Sequence, residues 1–185
     1  QWNFARLVVG LCTLSRMMTQ ETRLVRAGWI VAISMLLGLA NAPAQNRVLE
    51  LDGRGSYVEL PPDIFHPLTQ ATVEVWAKWD SFRNYSRVFE FGAAWQSMSV
   101  FNHSTNNDVR FNLYPQSARN NPALAYQIRV NQLLRPREWI HLAAVSGPGG
   151  MKLYVNGVLM GTHTNEACFA SLPVVQTNLF GRGLV

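Results

Sequence analysis

The sequence predicts an all-β protein, a two-sheet antiparallel sandwich. Three observations carry that prediction. After Gln45 the chain runs in about ten short segments of alternating apolar and polar residues, separated by Gly, Pro, Asn and Asp. No convincing amphipathic helix interrupts them, and the connections are too short for parallel crossovers. Near the end, Asn156-Gly157 joins two apolar runs with the residue pair that a two-residue hairpin turn demands.

The segments follow in order. "RVLEL" (47–51) passes through "DGRG" into "SYVEL" (56–60), and "PPDIF" after it has room for one helical turn at most. "ATVEVWAKW" (71–79) is the longest strand. Period-two alternation puts Val73, Val75, Ala77 and Trp79 on one face and Thr72, Glu74, Trp76 and Lys78 on the other. "RVFEFG" (87–92), "SMSVF" (97–101), "DVRFNLY" (108–114) and "LAYQIRV" (124–130) repeat the theme, as does "WIHLAAVS" (139–146). The hairpin "KLYVNGVLMG" (152–161) has a type I′ turn, whose twist matches its strands and fixes their register. "TNLFG" (177–181) is the last short run.

Composition supports one domain with a real core. Of 185 residues, 48% are hydrophobic and 15% charged, which excludes a disordered chain. The net charge of +5 invites nucleic acid, but the charge is unevenly placed. Residues 1–44 hold four arginines against Glu21, and the remainder carries only +2. Without a basic stripe interleaved with aromatics, no nucleic-acid partner is expected.

The basic segment reads as a targeting signal. Arg23 and Arg26 precede "AGWIVAISMLLGLA" (27–40), fourteen residues without a charge, and then "NAPAQ". That length suits a signal-peptide core and is short for a membrane span. Small residues Ala42 and Ala44 place cleavage between Ala44 and Gln45, since Pro43 disfavours cleavage after Ala42. The signal peptide is expected over 17–44, starting at Met17 or Met18, with 1–16 read as a misassigned or fragmentary upstream stretch. Leu11 before Cys12 is not the small residue that lipidation needs. Cys168 is then the one thiol of the mature chain, either buried or paired beyond Val185.

Five stretches resemble a known family: "VLELDGRGSYVELP" (48–61), "TVEVWAKW" (72–79), "VFEFG" (88–92), "WIHLAAVSGPGGMKLYVNGVLMG" (139–161) and "NLFGRG" (178–183). In this order they are similar to laminin-G-like jelly-roll domains of the concanavalin A-like lectin/glucanase superfamily. The resemblance covers nearly all of 45–185 and implies a curved two-sheet jelly roll. Such domains normally end with a Gly-x-Ile/Leu-Asp-Glu-Val strand, which this sequence lacks. A longer parent protein is therefore expected, and a sandwich without that strand exposes an unpaired edge. Catalytic members carry clustered carboxylates on one strand. Here the nearest pair, Glu74 and Asp80, lies roughly 20 Å apart along an extended chain, too far to flank one glycosidic bond. No enzyme activity is expected within this chain.

The strand residues that invite a functional reading also have plain ones. Trp76 suits a sugar-stacking platform, although inter-sheet packing is the stronger expectation. Trp139 and His141 share a face, and with no partner nucleophile His141 is expected to be packed or hydrogen-bonded. Loops are better candidates for recognition. "SFRNYSR" (81–87) offers Arg83 and Tyr85, "GAAWQ" (92–96) offers Trp95, "NHSTNND" (102–108) offers Asn102 and Asn106, and "ARNN" (118–121) offers Arg119. This Arg, Asn and aromatic mixture suits sugar hydroxyls and carboxylates, and equally an ordinary solvated loop. Asp52 and Asp108 are the positions to test for Ca²⁺. Calcium takes six to eight oxygens and one carboxylate makes a tight site unexpected, so no cofactor is required. Asn84-Tyr85-Ser86 and Asn102-His103-Ser104 match the glycosylation sequon.

The expected function is a non-catalytic exported recognition module, binding polysaccharide or a surface protein, located in the periplasm, at the cell surface or in the medium. The alternative is an accessory ectodomain of a larger hydrolase, adhesin or membrane signalling receptor.

Overall fold

The computed structural model describes residues 2–5, 48–115, 125–173 and 177–184, the first four by backbone alone. The signal peptide and its cleavage point, and Arg119, lie outside the described residues. The described chain is all-β, with one short 3-10 turn at Phe169–Ser171.

The strands are β1 (Trp2–Ala5), β2 (Val48–Leu51), β3 (Val58–Leu60), β4 (Ala71–Trp79), β5 (Arg87–Ala93) and β6 (Gln96–Asn102). They continue as β7 (Val109–Leu113), β8 (Tyr126–Val130), β9 (Ile140–Ser146), β10 (Met151–Val155), β11 (Val158–His163) and β12 (Thr177–Phe180). They form two six-stranded sheets, β11-β10-β9-β4-β1-β2 and β3-β12-β5-β6-β7-β8, antiparallel at every pairing. This is the antiparallel jelly-roll sandwich that the alternating pattern predicts. β1 comes from the stretch set apart at the N-terminus and stands between β2 and β4, antiparallel to both.

The core lies between the sheets. β4 contributes Val75, Ala77 and Trp79, facing Phe89, Phe91, Met98, Val100, Phe111 and Leu113 of the second sheet. Phe91 stacks on Phe65 at 4.9 Å and meets Phe180 edge-on at 5.1 Å, which joins the 61–68 loop and β12 to the same cluster. Each such aromatic removed from water contributes on the order of 1.5–3 kcal/mol. Cys168 is buried and unbridged, with Sγ 3.5 Å from Ser171 Oγ.

The hairpin forms as its residues dictate. Asn156 and Gly157 both have positive φ (48° and 81°), and Val155 faces Val158 across the turn. Asn156 does a second job, because its Oδ1 accepts the His141 backbone N–H at 2.9 Å and ties the turn to β9.

Alternation fails in the second sheet. β6 and β7 are buried along their whole length, on both faces. Their inward residues are the apolar core, so their outward residues are buried as well, and these are mostly polar. That outward face is where the candidate site lies.

Candidate functional site

Strand register assembles the outward face of the second sheet row by row. One row is Glu90, Ser99, Asn112 and Gln127, directly opposed across β5, β6, β7 and β8. The next is Arg87, Phe101, Arg110 and Arg129 on the same four strands. Each strand donates every second residue to this face, so pairing in register creates the rows.

A hollow of about 240 Å³ opens on these rows between β6, β7 and β8. Its floor is Arg110 and Asn112, only 9% and 2% exposed, with Phe101 beside them. Tyr85 and His103 form one wall, meeting edge-on at 5.5 Å, and Tyr114, Gln127 and Arg129 form the others. Tyr85 is held in the left-handed region (φ 52°), with its N–H donated to Ser104 O at 3.0 Å, and this aims the ring over the hollow's edge. Trp95, at the β5–β6 turn, stands edge-on to Tyr114 at 6.4 Å and extends the aromatic rim.

Four buried atoms on or beside this floor have no hydrogen-bond partner: Arg110 Nε, Asn112 Oδ1, Ser99 Oγ and His103 Nδ1. Each such group costs about 1–3 kcal/mol when left unsatisfied. The groups around them are, by contrast, tied down. Asn112 Nδ2 donates to the Tyr114 hydroxyl at 3.1 Å, and Arg129 Nε and Nη2 both donate to Gln127 Oε1, at 2.9 and 2.7 Å. The floor therefore presents fixed donors and acceptors that await a polar partner. Burial, followed by the Arg110 charge, holds His103 below the ordinary imidazole value. Burial and then the Arg129 charge likewise lower Arg110.

Glu90, the buried carboxylate of the neighbouring row, is engaged. Arg87 Nε, Ser97 Oγ and the Leu184 N–H all donate to it, at 2.9, 2.7 and 3.0 Å. It is built as a structural anchor.

The sequence-predicted residues fall in several places. Tyr85 lines the sheet hollow and also a larger loop-walled hollow of about 380 Å³, shared by 53–56, 83–87 and 181–183. Arg83 lines that second hollow, where its Nη1 is taken by Gly53 O at 2.7 Å. Asn102 is fully buried. Its Nδ2 donates to the carbonyls of Arg83, Ser104 and Asn106, and its Oδ1 accepts from the Ser86 N–H. It holds the two loops together, placing Tyr85 and His103 side by side. Asn106 is exposed, with Oδ1 accepting from the Asp108 N–H.

The two aspartates proposed for calcium stand in separate settings. Asp52 Oδ1 accepts from the N–H groups of Arg54, Gly55 and Ser56 and from Ser56 Oγ. The Ser56 hydroxyl, and then those backbone donors, hold its carboxyl far below the usual range. Asp108 Oδ1 accepts from the Gln132 N–H at 2.8 Å, and its Oδ2 lies 3.9 Å from Arg110 Nη2. Among the described residues, no three His, Cys, Asp or Glu side chains come together.

The inter-sheet expectation for Trp76 is corrected. Trp79 takes the core position, and Trp76, three residues earlier, points out of the first sheet at 44% exposure. His141 is packed as expected, its ring 5.2 Å from Trp76 and its Nε2 3.7 Å from Glu74 Oε2. Lys78 covers the exposed Trp139 at 4.8 Å.

His103, Arg110, Asn112, Tyr114, Gln127 and Arg129 were not singled out by sequence. A signal was present: Arg110, Asn112 and Tyr114 alternate with Val109, Phe111 and Leu113, and Gln127 and Arg129 alternate with Ile128 and Val130. Two neighbouring strands with an Arg and an amide on the outward face make a candidate surface.

An antiparallel sandwich with a polar, aromatic-rimmed hollow on one sheet face is the class these features define. The chain belongs to the concanavalin A-like lectin/glucanases superfamily, whose laminin-G-like model matches residues 52–180. No curated protein matches the sequence. Among solved structures the fold is similar to the CBM40 of the Ruminococcus gnavus IT-sialidase, bound to α2,3-sialyllactose. That match has 16% identity and a TM-score of 0.54, over 70% of this chain and 79% of the other. It is also similar to domain 4 of AbnA, a GH43 extracellular arabinanase from Geobacillus stearothermophilus, in complex with arabinotriose. Identity there is 22% and the TM-score 0.57, over 70% of this chain and 59% of the other. At these identities the likeness is one of fold.

Proposed function

We propose that this chain is a non-catalytic, exported recognition module that binds carbohydrate through the outward face of its second sheet. The observation that carries the reading is the hollow's floor, where buried Arg110, Asn112 and His103 atoms lack partners beside the rings of Tyr85 and Tyr114. Sugars supply hydroxyls for such groups and apolar ring faces for the aromatics. Two structures of this fold hold oligosaccharides, which supports the same ligand class.

The test is retention on immobilised polysaccharides and a glycan array, comparing the wild type with Tyr85→Ala. Tyr85 is surface-exposed, so the variant keeps its fold. Binding that weakens about ten-fold or more in the variant supports the reading, on the scale of losing one stacked ring and its contacts. A folded wild type retained by no glycan overturns it.

A surface protein is the second partner class, favoured by the exposed Trp76 on β4 and Trp139 just before β9. The alternative reading is an accessory ectodomain of a larger hydrolase, adhesin or membrane signalling receptor. Export rests on the Arg23/Arg26, 27–40 and Ala42/Ala44 pattern. N-terminal sequencing of the product recovered outside the cytoplasm is expected to begin at Gln45.

A further inference from the structure

We infer that the sheet hollow selects an acidic sugar, taking the ligand's carboxylate on Arg110 and Arg129 and one of its hydroxyls on Asn112. This rests on the carbohydrate reading above and names the ligand class within it.

The floor's unsatisfied atoms are of opposite kinds. Arg110 Nε is a donor that wants an acceptor, and Asn112 Oδ1 is an acceptor that wants a donor. The two lie on the same strand face two residues apart, about 7 Å along β7. A ligand that satisfies both carries an acceptor and a hydroxyl within one ring's breadth, which is the description of a sugar acid.

Charge makes the acceptor an anion. Arg110 and Arg129 are directly opposed on β7 and β8, an arrangement that costs about 0.2–1 kcal/mol when uncompensated. The charges facing them do not cancel the pair. Asp108 is the nearest carboxylate, but it stands 3.9 Å from Arg110 Nη2 and spends Oδ1 on the Gln132 N–H. Arg87, in the same row, is neutralised by Glu90 at 2.9 Å. Gln127 accepts from Arg129 Nε and Nη2 and holds the guanidinium in one orientation, so that its other edge, Nη1 with the second Nη2 hydrogen, is the one left to meet a planar carboxylate.

The experiment pairs each acidic glycan with its neutral counterpart in calorimetry: 3′-sialyllactose with lactose, and trigalacturonate with its carboxyl-reduced form, plus 3′-sulfolactose. At least one acidic member is expected to bind about ten-fold more tightly than its neutral twin, the scale of one charge-assisted hydrogen bond. Arg129→Gln, at an exposed position, is expected to erase that difference between the acidic and neutral members. Equal binding of acidic and neutral twins overturns the inference and leaves carbohydrate binding standing. Tight 3′-sulfolactose binding without either carboxylate ligand also overturns it. A protein that retains none of these sugars, nor any on the wider array, fails the carbohydrate reading itself.

Discussion

At the scale of single residues, the floor of the hollow carries unpartnered polar atoms at a cost in stability. Asn112 is buried with Oδ1 unpartnered, at a cost of about 1–3 kcal/mol. Replacing it by Leu, which has the same number and branching of heavy atoms, removes the unsatisfied acceptor. Asn112→Leu is expected to melt at or above the wild-type temperature while losing glycan affinity, a separation that thermal denaturation and calorimetry read together. A purely structural Asn112 would instead lose stability. His103 gives a pH signature. Its folded value is lowered from the ordinary 6.5, chiefly by burial, so the folded state favours the neutral ring. The stability tied to it is fully present above pH 6.5 and is lost as pH falls through the folded value. Between pH 7.5 and 5.5 the melting temperature of wild type is expected to fall further than that of His103→Gln.

At the scale of elements, the clearest cases are those where local chemistry and tertiary contact agree. The β10–β11 turn is one. Gly157 has φ 81° with open space around its α-carbon, so a side chain there meets only the backbone penalty of the left-handed region. Gly157→Val is expected to cost about 1–2 kcal/mol in urea unfolding. An unchanged midpoint would mean that the turn relaxes into another type. β4 shows both the reach and the limit of period-two reading. Its faces were legible because Val75, Ala77 and Trp79 alternate with Glu74, Trp76 and Lys78. Trp76 lies outside, against the inter-sheet expectation, because it belongs to the polar face of the alternation with Glu74 and Lys78. β6 and β7 show the opposite failure. Nothing local says that the outward Ser99, Phe101, Arg110 and Asn112 are buried, since alternation states which face a residue is on and not how exposed that face is.

At the scale of the molecule, the first sheet has an unusual seam. β2 and β4 do not pair with each other; each pairs with β1, whose residues precede the proposed cleavage point. On the export reading, cleavage after Ala44 removes β1 and opens two unpaired strand edges. Residues 45–185 alone are accordingly expected to melt below the uncleaved chain 1–185. Equal melting temperatures would show that the seam closes without β1.

The sequence alone was enough for the sandwich, because alternation and turn chemistry are local. Among the described residues, eleven of the twelve strands fall on runs legible in the pattern after Gln45, and the Asn156-Gly157 hairpin forms as its backbone preferences require. Tyr85 was legible too, as an aromatic in a polar loop. The tertiary structure decided which side chains meet. Arg110 and Arg129 are nineteen positions apart along the chain and become neighbours only through the β7–β8 register. Asn102, by spending its whole side chain on two loops, brings Tyr85 and His103 to their edge. A strand's alternation states which side chains share a face. Only pairing between strands states which faces meet, and recognition depends on the second.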